Sequence, residues 1–182
     1  MRSILAVDPG AAGGLAWKYS GNPSACCQPM PKTESDVCVL IRTFITLAGP
    51  SPVIYMETLI KHMGPGIPAS TMAVYAENYG IIKGCVIYAG ARLELVRPQE
   101  WQKALSLGIT GRQKANLNSC MTPAEAVAEK KRVQLLNGQL KRDWKNKLKS
   151  EAQRLYPHMA EEITRNTADA VMLLEYGIRR GL

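Results

Sequence analysis

The sequence predicts an α/β fold in one domain, with a five-stranded mixed sheet flanked by helices. Three observations carry this. Five short apolar runs and two helical patterns follow one another in the order β-β-β-α-β-α-β, with further helices behind them. The three leading runs are separated by turn residues and read as a meander. The later runs are separated by segments long enough to cross over and lie parallel, with helices on the sheet faces.

Each element has its own signal. Ser3 to Val7 is an apolar, β-branched run stopped by Asp8-Pro9-Gly10, and Gly13 to Tyr19 folds back on it. Ser20-Gly21-Asn22-Pro23 is a turn, and Ser24 to Gln28 is a short third strand. Thr33 caps a helix whose first turn holds Glu34 and Asp36 and whose apolar face is Val37, Leu40, Ile41, Phe44 and Leu47. Gly49-Pro50-Ser51-Pro52 ends it, Val53 to Glu57 is a fourth strand, and Gly64 to Pro68 is a loop. Ser70 or Thr71 caps the next helix, with Met72, Tyr75, Ala76, Tyr79, Ile82 and Val86 on its apolar face. Ala76, Gly80 and Gly84 form a smooth strip on that helix, suited to a sheet first and a partner helix second. Arg92 to Val96 is the fifth strand, and helices are expected over roughly 98–106, 122–137, 140–156 and 164–180.

Composition narrows the classes. With 46% apolar and 21% charged residues in 182, the chain is globular and a single domain, 1–182. No apolar run approaches the roughly 18–20 residues of a membrane span, and a strand-like run from Arg2 leaves no room for a signal peptide. Five cysteines, an odd count with no CxxC spacing, predict neither a zinc site nor a disulfide framework, and suit a reducing compartment. The net charge of +8 is concentrated: residues 101–154 hold twelve Lys and Arg against four Asp and Glu, and the rest of the chain balances. Such a segment suits a polyanion, or is simply a solvated helical surface.

Three acids stand at the ends of apolar elements. Asp8 closes the first strand, and glycines at 10, 13 and 14 would let a bulky anion approach the backbone. Glu57 follows four apolar residues at the end of the fourth strand. Asp169 sits in the otherwise apolar Thr167 to Leu174. A turn-initiating Asp, an exposed Glu and a first-turn helix Asp are the plain alternatives. If the first and fourth strands are neighbours, however, Asp8 and Glu57 lie about 4.8 Å apart and repel unless a proton or metal sits between them. Lys141, Lys145 and Lys149 recur every four residues beside an apolar face of Trp144, Leu148, Ala152 and Leu155, as either a phosphate track or a solubilising edge. His62 is a loop residue, and His158 follows a proline before the last helix.

Taken together, these motifs resemble the RuvC-like Holliday junction resolvases, in particular the phage-type and organellar branch. Ala6-Val7-Asp8-Pro9-Gly10 with Gly13-Gly14-Leu15-Ala16 is similar to the family's opening, and Tyr55-Met56-Glu57 to its second acidic motif. Ala168 to Gly177 is similar to its C-terminal motif, and Val96 to Trp101 and Trp144 to Pro157 look like phage-type members. The resemblance implies a ribonuclease H-like fold, with a basic helical segment of about 101–156 inserted before the C-terminal helix. It implies a homodimer that nicks a four-way junction symmetrically, with two Mg²⁺ ions, for which Mn²⁺ can substitute, held by Asp8, Glu57 and Asp169. Gly13, Gly14 and the three lysines would face DNA. Many members carry a further acid or a histidine shortly before the last Asp, where this chain has Asn166 and Arg165. Asn166 is then either a weaker metal ligand or a helix cap. The implied setting is the cytoplasm or nucleoid of a bacterium or phage-infected cell, or an organelle matrix for a processed form. A sugar-kinase or actin-like ATPase needs two such domains. A junction-binding protein without activity and an RNA-processing nuclease of the same fold are the other readings.

Overall fold

A computed structural model of the protein describes residues 2–58, 69–108 and 122–181. The strands are β1 (Ile4–Asp8), β2 (Gly14–Lys18), β3 (Ala25–Pro29), β4 (Val53–Glu57) and β5 (Arg92–Val96). The helices are α1 (Glu34–Leu47), α2 (Ala69–Tyr88), α3 (Pro98–Ala104), α4 (Pro123–Leu155) and α5 (Ala168–Arg180), with a 3₁₀ turn at Pro157–Met159. Residues 62, 64–68 and 120, which include His62 and the expected glycine-proline loop, lie outside the described residues. No helix among the described residues is long and apolar enough to cross a membrane.

The sheet order is β3-β2-β1-β4-β5. β1 pairs antiparallel with β2 and parallel with β4, and β4 pairs parallel with β5. The predicted mixed sheet is therefore present. Successive side chains of a strand point to opposite faces, so β1 and β4 each feed two cores. Ile4, Ala6, Val53 and Tyr55 pack under α3, α4 and α5. Leu5, Val7, Ile54 and Met56 pack under α1 and α2. Asp8 continues the Ile4-Ala6 series and Glu57 the Val53-Tyr55 series, which directs both carboxylates to the α5 face.

α5 lies across β1, β2 and β4. Its start packs on Gly14, where a Cβ would meet Thr167 Cα at 3.1 Å. Near its end, a Cβ on Gly177 would meet the Tyr55 ring at 2.7 and 2.8 Å and Ile4 Cγ2 at 3.3 Å. The helix thus runs back along β1 from the Asp8 end to the Ile4 end.

Four expectations need correction. The break expected near residue 138 is absent: Gly138 is absorbed into one 33-residue helix, because a single glycine costs only about 1 kcal/mol against many intrahelical bonds. α5 begins at Ala168 and not near 164, because Thr164 N–H donates to Thr167 Oγ1 at 2.8 Å and forms a turn instead. Ala76, Gly80 and Gly84 face away from the sheet, which is covered by Ile82 and Val86. Cys38 and Cys85 are joined by a disulfide, since α1 and α2 pack side by side and bring residues 47 apart in sequence to a Cα separation of 5.9 Å. Cys26 and Cys27 are free.

Replacing Gly177 tests the packing that sets the α5 register. Tyr55 is fully buried and its ring has no room to yield. Gly177→Ala is expected to destabilise the protein by about 1–3 kcal/mol, read as a lower midpoint in denaturant unfolding.

Candidate active site

Asp8 and Glu57 occupy the adjacent C-terminal ends of the two central parallel strands, one residue past the last pair, Val7 and Met56. The β1–β2 turn closes tightly beside them. Gly10 N–H donates to Asp8 Oδ1 at 3.3 Å, and Gly13 N–H donates to the Gly10 carbonyl at 2.7 Å. A Cβ on Gly13 would collide with the Asp8 carbonyl oxygen and approach the Gly10 oxygen to 2.8 Å, so only glycine fits. Asp169, in the first turn of α5, is 8% exposed. The α5 axis brings it to the same end of the sheet.

The three acids interact. Burial pushes the Asp8 carboxyl up to about 6, with the negative charge of Asp169 adding to the effect and Lys145 opposing it. Burial pushes Glu57 up to about 8, with Asp8 and Asp169 both adding. Tyr75, from α2, reaches the same end of the sheet, and burial together with the charges of Asp8 and Glu57 pushes its hydroxyl up to about 12. Each acid also has a private partner. Trp101 Nε1–H donates to Glu57 Oε1 at 2.8 Å, and Lys145 forms an ion pair with Asp169. Trp101 is fully buried, and α3 is held to α5 by Tyr176 O–H donating to Glu100 Oε1 at 2.7 Å.

Among the described residues, no three His, Cys, Asp or Glu side chains are already gathered around a point that could hold a metal ion. The donor set nevertheless suits one. Three carboxylates, mutually repelling and largely out of water, are hard oxygen ligands of the kind Mg²⁺ and Mn²⁺ take, and the pairing of a cation with Asp169 shows where positive charge is wanted.

Beside the acids lies a cleft of about 420 Å³, lined by Asp8, Gly13, Lys141, Arg142, Lys145, Arg165 and Asn166 among others. Its four cations come from the middle of α4 and from the turn before α5. Arg165 is braced by its Nε–H, which donates to Asn146 Oδ1 at 2.8 Å.

The positions singled out in the sequence divide here. Asp8, Glu57 and Asp169 come together. Lys141 and Lys145 line the cleft, whereas Lys149 does not line it. Gly13 lines the cleft, while Gly14 is packed between Gln28 and Thr167. Asn166 is exposed in the cleft wall, ahead of the α5 cap residue Thr167, so it is not one helical turn from Asp169 on a shared helix and does not cap it. His158 Nε2 meets the Ala25 backbone, a tie between the 3₁₀ turn and β3. Trp101, Tyr75, Arg142 and Arg165 were not foreseen as site residues. Only Trp101 had a sequence signal, as the end of the Val96 to Trp101 motif.

A carboxyl whose folded pKa is raised contributes stability when protonated and loses it as pH rises through the folded value. In chelator, the thermal midpoint is therefore expected to fall as pH rises from about 4, more shallowly above about 6, where Asp8 is ionised in the folded protein, and to level off above about 8, where Glu57 is. Glu57→Gln should bring the levelling-off down to about 6, and Asp8→Asn should make the fall below about 6 shallower and lower its end point, since the Asp8 charge raises Glu57. Melting curves across this range check both.

No protein-family model matches the chain, and no curated protein matches it in sequence. Solved structures do. The structure of Thermus thermophilus RuvC matches with a TM-score of 0.51 and 12% identity over 98% of this chain and 96% of that one. T. thermophilus RuvC in complex with a Holliday junction substrate matches with a TM-score of 0.55 and 9% identity over 100% and 97%. At these identities the likeness is one of fold, and the described residues have the ribonuclease H-like fold of RuvC.

Proposed function

We propose that the protein is a divalent-metal-dependent endonuclease that resolves four-way DNA junctions by paired symmetric nicks. The observation that carries this reading is the meeting of three carboxylates, Asp169 buried and Asp8 and Glu57 half-buried, from α5, β1 and β4, beside a cleft walled by four cations. A phosphodiester is an anion that must be drawn in by positive charge and attacked next to metal-binding oxygens. The fold match to RuvC, solved with a Holliday junction, favours branched DNA over other polyanions.

In this reading Asp8, Glu57 and Asp169 hold Mg²⁺, with Mn²⁺ as a substitute. When bound, the ions acidify the attacking water and neutralise charge on the leaving 3′ oxygen. Trp101 fixes the Glu57 carboxyl through its indole N–H. Gly13 permits the tight turn that presents Asp8, since a Cβ there would approach the Gly10 oxygen to 2.8 Å. Asn166 offers a neutral oxygen from the cleft wall, so this position adds no charge to the acid cluster. Lys141, Arg142 and Arg165 hold the strand.

Two symmetric nicks need two active sites, and a junction's two-fold symmetry suits a C₂ homodimer. The outward side of α2 supports such pairing. Ala76, Gly80 and Gly84 are exposed there, and the stripe continues into Ile87 and Tyr88, 61% and 95% exposed.

The test is incubation of the purified chain with a labelled four-way junction, a linear duplex and a structured RNA, each in Mg²⁺, Mn²⁺ or EDTA. Paired nicks in the junction, dependent on metal, are expected. Asp8→Asn should reduce cutting at least about a hundredfold, as loss of a main catalytic group does, while junction binding survives. Cutting of the RNA alone rejects the substrate assignment, and binding with no cutting in any metal rejects the activity.

Salt dependence checks the cleft. Replacing Lys141, Arg142 and Arg165 together with Gln should weaken binding to every DNA shape. The slope of log K against log[salt] should shrink by about 0.9 for each lost phosphate contact. An unchanged slope would place the DNA elsewhere.

A further inference from the structure

Lys145 differs from the other cations of the cleft. It projects from the same α4 face as Lys141, and both line the cleft. Yet its ammonium is paired with Asp169, and the pair is withdrawn from water, with side-chain exposures of 29% and 10%. It is also the cation that offsets the negative charge felt by both Asp8 and Glu57. The expected lysine stripe therefore has one member turned inward.

We propose that Lys145 is the exchangeable counter-ion of the acid cluster, occupying in the metal-free protein a place that a divalent cation takes on binding. The inference rests on Asp8, Glu57 and Asp169 forming a metal site. Its physical basis is charge. Three carboxylates confined out of water need positive charge nearby, and Lys145 is the cation that touches one of them. The Lys145 ammonium occupies Asp169 Oδ2 and repels a second cation at that carboxylate, so metal entry is favoured when the ammonium leaves. Lysine suits such a task, being a compact charge on a flexible four-carbon stem. Its way out is already lined: the cleft that Lys145 borders holds Lys141, Arg142 and Arg165, where a phosphodiester compensates the released charge. Metal and DNA would then favour one another, each by relieving the ion pair that opposes the other, and this coupling is necessarily reciprocal.

Mn²⁺ titration of the chelator-stripped full chain by calorimetry tests this without any cutting. Lys145→Met is expected to bind Mn²⁺ at least about tenfold more tightly than wild type, because no resident cation has to be displaced. Lys149→Met, which removes a cation of the same helix that does not line the cleft, should stay within about twofold. In chelator Lys145→Met should melt below wild type, and saturating Mn²⁺ should close the gap. Lys145→Arg provides a second reading that keeps the charge and hence the fold. Its forked guanidinium holds a carboxylate more firmly, so Mn²⁺ binding should weaken several-fold. Wild type that takes up Mn²⁺, with both Lys145 variants unchanged or shifted the opposite way, overturns the counter-ion role and leaves the metal site standing. Wild type that takes up no Mn²⁺ at millimolar concentration overturns the metal site, and the counter-ion role with it.

Discussion

Mutual repulsion among buried carboxylates is the constraint on which the rest of this molecule depends. Removing an ionised carboxyl from water is costly, and gathering three multiplies the cost. The protein spends the stability of its sheet and helix packing to do so. Asp8 is presented by the central strand, β1, and Glu57 by β4 beside it, and both strands are buried on both faces. The helix that presents Asp169 is anchored along its length by close contacts at Gly14 and Gly177. Trp101 and Lys145 then hold two of the acids individually. Without such anchoring, the acids would part or turn to solvent.

The two faces of the sheet divide their labour. The α5 side carries the acids, the cleft and most of the polar bonds that position them. The α1–α2 side is chiefly apolar packing, joined across by Cys38 and Cys85. Tyr75 is the exception, reaching from α2 to the acids. α2 is apolar on nearly all sides, so it can serve a core on one side and remain available on the other.

How much of this could be read in the sequence follows from what each feature depends on. Strand positions, and with them Asp8 and Glu57, were legible because apolar runs ending in a carboxylate and a turn are local signals. The Thr33 cap was legible for the same reason, and Thr33 Oγ1 does accept from Asp36 N–H. Asp169 was legible as a charge among apolar neighbours. The different fates of Lys141, Lys145 and Lys149 were not, since they depend on the rotation of α4 against α5. Arg142 and Arg165 were hidden for a similar reason: their meeting is a property of two helices and not of a spacing. The disulfide escaped a count of cysteines because pairing depends on which helices touch. The Ala76-Gly80-Gly84 strip was legible but its side was not, because a helix apolar on nearly all sides gives periodicity little to choose between the sheet and the outside.

The unbroken length of α4 carries one more consequence. Leu148 and Ala152 fix its C-terminal part in the core, whereas the stretch from Pro123 to Arg142 is largely exposed, Val133 apart, and ends in a capping box at Thr122 and Glu125. The fifteen residues of α4 ahead of Gly138 span about 22 Å. A rigid rod clamped at one end is a lever. A tilt too slight to disturb Leu148 is magnified at the tip, and a load on the tip is felt as torque where Lys145 meets Asp169. The exposed arm of α4 and the Lys145–Asp169 pair are thus two points on one rigid body, and what displaces the first acts on the second.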